Sequence, residues 1–152
     1  MRRPLIVMTP KSLLRHKEAV SSIEELTEGS FRTVIDCESI DDPKLVDRVV
    51  FCSGKVYYDL LARREGNGLG NIVIVRIEQL YPFPEADMED ALKRYPNVKS
   101  AIWCQEEPMN MGAWNTARHY IDRTLEIIQV KGEKVKYVGR NAAASPATGN
   151  LN

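Results

Sequence analysis

Ser100-Ala101-Ile102-Trp103-Cys104-Gln105-Glu106-Glu107-Pro108-Met109-Asn110-Met111-Gly112-Ala113-Trp114 is the stretch that decides the fold. Its apolar run, Ala101 to Cys104, has the length of a buried parallel strand and ends at three polar residues, Pro108 and a loop that Gly112 closes. Beyond it Trp114, Ala117, Ile121 and Leu125 recur at helical spacing. The unit is therefore strand, polar loop, helix, with Gln105, Glu106 and Glu107 at the strand's carboxyl edge, where open α/β sheets meet ligands and partners.

Working upstream, the same unit recurs. Val49 to Cys52 predicts a strand, Ser53-Gly54 a turn, and Val56, Tyr57, Leu60 and Leu61 an amphipathic helix that the glycines from Gly66 to Gly70 end. Ile72 to Ile77 predicts a β-branched strand, Tyr81 to Pro84 a stiff turn, and Met88, Ala91, Leu92 and Tyr95 the buried stripe of the next helix. Downstream, Val135 to Val138 predicts a last strand and Asn141 to Asn152 a loop. Strands alternating with helices imply right-handed crossovers and a three-layer α/β sandwich around a mainly parallel sheet. Four strands are expected from residue 48 onward.

The first 45 residues are less regular. Leu5 to Met8, between Pro4 and Pro10, reads as a short buried strand, and Ser21 to Gly29 as a capped short helix. Phe31 to Ile35 alternates like a strand, and residues 36–45 read as a turn or linker.

With 152 residues, 21 basic and 21 acidic, the chain is long enough for one sizeable core and carries no net charge. No block of like charge supports nucleic-acid or anionic-membrane binding. The longest opening apolar run is four residues, far too short for a signal core or a membrane span. Cys37, Cys52 and Cys104 lack metal-ligand spacing and read as small buried hydrophobes in a reducing compartment.

Gly66-Asn67-Gly68-Leu69-Gly70 follows a helix and precedes a strand, the reverse of the context a dinucleotide loop requires. Cys52-Ser53-Gly54-Lys55 is better placed, since it closes a strand and opens a helix. Its amides, the Ser53 hydroxyl and the Lys55 ammonium could converge on a phosphate; a tight turn with Lys55 facing solvent is the equal alternative. Glu106 and Glu107 have no Ser, His or Cys beside them to act as nucleophile, which favours a structural or interfacial role. His119, between Ala117 and Ile121, reads as a packing residue, and Trp103 and Trp114 as core or contact anchors.

Five segments in one order carry a resemblance: Pro4 to Arg15, Cys52 to Leu60, Val75 to Pro84, Trp103 to Trp114, and Gly139-Arg140 with Ala144-Ser145-Pro146. Together they resemble the carboxyl-terminal region of the thiamine-diphosphate-dependent dehydrogenase component of 2-oxoglutarate dehydrogenase complexes, among the transketolase-like enzymes. Met111 stands where that pattern leads us to expect glutamine. The resemblance implies a Rossmann-like transketolase C-terminal domain over residues 46–152, and over 1–45 the end of a preceding pyrimidine-binding domain plus linker. Met1-Arg2 would then not be a natural start.

It further implies that the parent oxidatively decarboxylates 2-oxoglutarate and passes a succinyl group to the lipoyl arm of a succinyltransferase. Thiamine diphosphate and magnesium would be held by upstream domains, with no catalytic residue and no metal ligand in this chain. Gln105, Glu106, Glu107 and Trp114 become a candidate interface with the rest of the enzyme or a homodimer mate. Ser53 and Lys55, with Lys11, Arg32 and Arg76, become a candidate pocket for the phosphates of AMP or acetyl-CoA. Bacterial cytoplasm or mitochondrial matrix is the implied compartment. An independent nucleotide-binding regulatory module, or the same domain of a dehydrogenase for another 2-oxo acid, are the rival readings.

Overall fold

The structure is a computed structural model, and it describes residues 3–36, 40–130, 134–147 and 149. Cys37 and the Met1-Arg2 start lie outside the described residues. The backbone clusters into two compact units, Met1–Phe31 and Arg32–Asn152.

The first unit holds a 3₁₀ turn, Lys11–Arg15, and a short helix, α1 (Ile23–Thr27). A capping box opens α1, with the Ser22 hydroxyl accepting from the Glu25 N–H at 3.1 Å and the Glu25 carboxylate accepting from the Ser22 N–H at 3.0 Å. Leu5 to Met8, expected as a buried strand, is neither: Leu5 is 87% and Met8 91% exposed, and no strand forms. An isolated extended run has no ladder to join, and apolar composition alone does not supply one.

The second unit is a five-stranded sheet in the order β1-β3-β2-β4-β5, made of β1 (Val34–Ile35), β2 (Arg48–Cys52), β3 (Ile72–Ile77), β4 (Ser100–Pro108) and β5 (Lys136–Arg140). β1 runs antiparallel to β3 and every other pair is parallel. The alternation seen from Phe31 thus yields only a two-residue edge strand. Three helices make the crossovers: α2 (Val56–Gly66), α3 (Glu85–Lys93) and α4 (Trp114–Ile127).

The chain steps one way from β2 to β3 and the other way from β3 to β4 to β5. Right-handed crossovers therefore place α2 on one face and α3 with α4 on the other. The main core obeys that division. Val49, Phe51, Val73, Val75, Ala101 and Trp103, alternate residues of three strands, meet Met88, Leu92, Ala117, Ile121 and Leu125 of α3 and α4. Trp103 and Phe51 are the largest side chains buried there, each worth roughly 2–3 kcal/mol in removal from water.

α2 departs from its expected amphipathic burial. Val56, Tyr57, Leu60 and Leu61 are only half-buried, and its one buried residue is Arg64, whose Nε–H donates to the Ile72 carbonyl at 2.8 Å. On the α2 face, Ile102 is half-buried and Val138 49% exposed. His119 is also exposed, its ring against Tyr120 at 4.1 Å between centroids. Two residues on from Ala117 is about 200° around a helix, which turns His119 away from the core.

The polar residues after Cys104 do not form the expected loop. β4 continues through them to Pro108 because β5 supplies a partner: Cys104 pairs with Val138 and Pro108 with Arg140, with a register shift between. Three residues of β4 thus oppose one of β5, Gly139, which makes an irregular bulge. A Cβ on Gly139 would come within 2.8 Å of the Gln105 carbonyl oxygen.

Candidate functional site

β2 and β4 are neighbours whose following helices leave to opposite faces, so the sheet has its topological switch point between their carboxyl ends. A crevice of about 530 Å³ opens there, with Ser53 and Gly54 from the β2–α2 turn, Glu107 from β4 and Thr116 from α4 in its wall. Trp103, Leu80 and Ala113 supply apolar surface.

Gln105 builds this end of the sheet. It is 5% exposed, and its Oε1 accepts from the Trp103 indole N–H at 2.9 Å and the Trp114 backbone N–H at 3.0 Å. Its amide nitrogen donates to the carbonyls of Pro108 at 3.1 Å and Met111 at 2.8 Å, with a longer contact to that of Glu107. One side chain thus caps α4 and pins the loop before it, standing in for the Ser, Thr or Asp usually found there. Gly112, at φ +66°, passes so close that a Cβ would lie 2.9 Å from the Gln105 amide. Gln105, expected at an interface, instead has its side chain buried and committed within the chain. Met111 contributes its backbone carbonyl to this network.

Glu106 is exposed on the α2 side, where Lys55 reaches it at 2.6 Å; Asp59 holds the same ammonium at 3.7 Å. The hydrogen bond that Lys55 donates to the Glu106 carboxylate is the main cause that raises the Lys55 pKa above its ordinary value. Lys55 is therefore not turned freely to solvent. Glu107, also exposed, lies at the crevice, and Trp114 is half-buried against Tyr137 at 5.3 Å between ring centroids.

Arg76 sits beside Cys52 across β2 and β3. Its guanidinium pairs with Glu78 at 2.8 Å, donates to the Tyr58 hydroxyl at 3.3 Å and lies 4.5 Å from the Tyr57 ring centroid, a cation–π contact. The sheet end thus gathers Ser53, Lys55 and Arg76. Arg32 is exposed in the same unit, and Lys11 is exposed on the first unit's 3₁₀ turn.

Cys52 is fully buried and Cys104 half-buried. Burial, with Cys104 alongside, pushes the Cys52 thiol up to about 12, and burial raises Cys104 as well, so both are protonated at neutral pH. Neither is an activated nucleophile. Among the described residues no three His, Cys, Asp or Glu side chains gather as a metal would need. Diphosphate does not fit the crevice either, since the charged side chain in its wall is the Glu107 carboxylate. Leu80, Tyr81 and Thr116 were not anticipated in this wall. Tyr81 was legible only as part of a turn, and Thr116, an exposed polar residue on a helix, carries no sequence signal.

The family described as 2-oxoglutarate dehydrogenase C-terminal matches residues 20–152. A 2-oxoglutarate dehydrogenase E1 component of Haemophilus influenzae is 53% identical over 151 residues, covering 99% of this chain and 16% of the relative. The Azotobacter vinelandii protein of the same name is 51% identical over 149 residues, covering 98% and 16%. That of Coxiella burnetii is 52% identical over 150 residues, covering 97% and 16%. The chain thus spans about 16% of the length of these curated relatives. By sequence, the chain belongs to the 2-oxoglutarate dehydrogenase C-terminal family.

Proposed function

We propose that this chain works as the carboxyl-terminal part of a 2-oxoglutarate dehydrogenase E1 component, a structural domain within an oxidoreductase that decarboxylates 2-oxoglutarate and succinylates a lipoyl arm. The observation that carries the reading is identity above half over nearly the whole chain to E1 components about six times as long. In this reading thiamine diphosphate and magnesium belong to domains outside this chain. Residues 1–45 bring the end of a pyrimidine-binding domain and its linker, and the remainder braces the enzyme and its dimer. The exposed apolar residues of the first unit and the thinly covered α2 face support a chain made to pack against more protein. No helix among the described residues is long and apolar enough to cross a membrane.

The test is direct. The chain supplied with thiamine diphosphate, magnesium and 2-oxoglutarate should release no carbon dioxide above the protein-free control, whereas the full-length E1 should. Turnover by the chain alone would overturn the reading. The relatives' names favour this assignment over an independent nucleotide module or a dehydrogenase for another 2-oxo acid.

A second role, binding of AMP or acetyl-CoA phosphates, is supported by the gathering of Ser53, Lys55 and Arg76 at one sheet end. A phosphate there must displace Glu106 from Lys55, so Glu106→Gln should tighten AMP binding to the full enzyme and Lys55→Ala should weaken it. Unchanged affinity in both variants would remove the pocket.

A further inference from the structure

Cys52 and Cys104 have no part in the readings above, and the sheet sets them side by side. β2 and β4 are parallel neighbours whose last paired residues are Phe51 and Trp103, and the next residue on each strand is Cys52 and Cys104. Phe51 and Trp103 belong to the core beneath α3 and α4, so strand alternation turns both cysteines to the α2 face. Cys52 pairs on its other side with Arg76, and Cys104 with Val138, so one row crosses four strands. After burial, the neighbouring Cys104 is the largest influence that raises the Cys52 pKa, which places the two sulfurs within each other's field. Nothing in their sequence spacing announces the pair, because strand order and not chain order makes them neighbours.

The spacing selects among the things two thiols can do. Neighbouring strands lie about 4.8 Å apart, whereas a disulfide draws its β-carbons to about 3.8 Å, so an S–S bond would have to pull the strands together. Two metal–sulfur bonds of about 2.3 Å set in line separate the sulfurs by about 4.6 Å, close to the strand spacing itself. Among the described residues no third His, Cys, Asp or Glu joins the pair, so the tetrahedral set that zinc takes is missing, while a soft cation of linear habit needs two sulfurs only. Val50 and Ile74 are buried on the same face and Ile102 is half-buried there, an apolar setting that favours a cation able to shed its water. Cys104 is half-buried and Cys52 fully buried, so an ion enters past Cys104 and Cys52 closes the far side.

We propose that Cys52 and Cys104 form a two-coordinate thiolate site for a soft monovalent cation, copper(I). Binding is an exchange without change of oxidation state: two S–H bonds break, two copper–sulfur bonds form, and two protons leave to solvent. The complex carries one negative charge. Arg76 beside Cys52 favours it, whereas Glu78 and Glu106 oppose it, and both thiols start protonated, so affinity rises with pH.

The probe is copper(I) presented to the reduced chain, in anaerobic buffer, on the coloured chelator bathocuproine disulfonate. One equivalent per chain should leave the chelator, and copper K-edge absorption should show the pre-edge peak of linear two-coordinate copper(I). Cys52→Ser and Cys104→Ser should each weaken binding at least about a hundredfold, because two ligands fixed on one sheet act as a chelate. Cys37→Ser should leave the affinity unchanged, and excess zinc(II) should not displace the copper. Urea midpoints read by circular dichroism verify that each variant is folded; should serine at buried position 52 unfold the chain, Cys104→Ser at the half-buried position carries the test. No transfer from the chelator, unchanged affinity in a folded Cys52 or Cys104 variant, dependence on Cys37, displacement by zinc, or a three-coordinate edge would each overturn the proposal.

Discussion

Replacing Gln105 by leucine is the sharpest test of how the sheet's carboxyl end is built. Leucine keeps most of the volume but removes both an acceptor and a donor. One fully buried group is stranded: the Trp103 indole N–H loses its 2.9 Å acceptor, whereas the Pro108 carbonyl, which loses its 3.1 Å donor, keeps the Met111 N–H at 2.8 Å. Each stranded buried group costs about 1–3 kcal/mol, while water can reach the partly buried groups of Met111 and Trp114. Added apolar burial returns about 1 kcal/mol, which the weaker losses at Pro108, Met111 and Trp114 offset, so a net loss of about 2 kcal/mol is expected, a sizeable fraction of the roughly 5–15 kcal/mol that holds a domain together. Gly112→Ala supplies the internal control. Its new Cβ meets Gln105 at 2.9 Å and sits at φ +66°, so it should cost about 2–3 kcal/mol with Gln105 present. In a Gln105→Ala background only the backbone part, about 1–2 kcal/mol, should remain. Urea unfolding followed by tryptophan fluorescence measures all four corners of the cycle. A Gln105→Leu loss below about 1 kcal/mol, or Gly112 and Gln105 effects that add within about 0.3 kcal/mol, would refute the hub.

Three further predictions rest on burial. Asp36, 11% exposed at its side chain, accepts from Arg94 at 2.7 Å and from the Tyr95 hydroxyl at 2.7 and 2.8 Å; Asp36→Ala should cost about 2–3 kcal/mol in urea unfolding, and a loss under about 0.5 would show that this tie of the β1 segment to α3 is dispensable. Because folding raises the Cys52 pKa from 9.0 to about 12, its contribution to stability is complete below pH 9 and is lost as pH rises toward 12. Cys52→Ala should therefore be less steeply destabilised than the parent chain across that window, and equal slopes would contradict the assignment. At pH 7 a thiol reagent should modify half-buried Cys104 slowly and Cys52 only on unfolding; labelling of both at one rate in the folded chain would mean that the strands open together.

The elements read most accurately from sequence are those whose environment is uniform. Ile72 to Ile77 is continuous because β3 is flanked by β1 and β2 and packed within the sheet, so apolar residues are wanted at nearly every position. Trp114, Ala117, Ile121 and Leu125 mark α4 because its far side faces water and the stripe contrasts with it. Leu5 to Met8 has the composition of a strand without a ladder, and composition cannot report whether a partner exists. α2 misleads for a related reason: its apolar spacing is sound, but within the second unit the described residues leave its stripe only half covered.

The candidate site was legible in part, and Gln105-Glu106-Glu107 shows where reading fails. Three successive polar residues look like the end of a strand, and a loop reading assigns them one shared fate at the surface. Once β5 carries the strand through to Pro108, pleat and bulge give each residue a different surrounding. Gln105 turns into the core and holds Trp103 and the α4 opening, Glu106 turns to Lys55, and Glu107 is left at the crevice. Those fates depend on a strand more than thirty residues away in sequence and on Gly139 admitting the close approach of the Gln105 carbonyl. A side chain larger than glycine at 139 would push β5 off this segment. The Gln105 network and the placement of Glu107 would then be lost together, although neither touches residue 139 through its side chain.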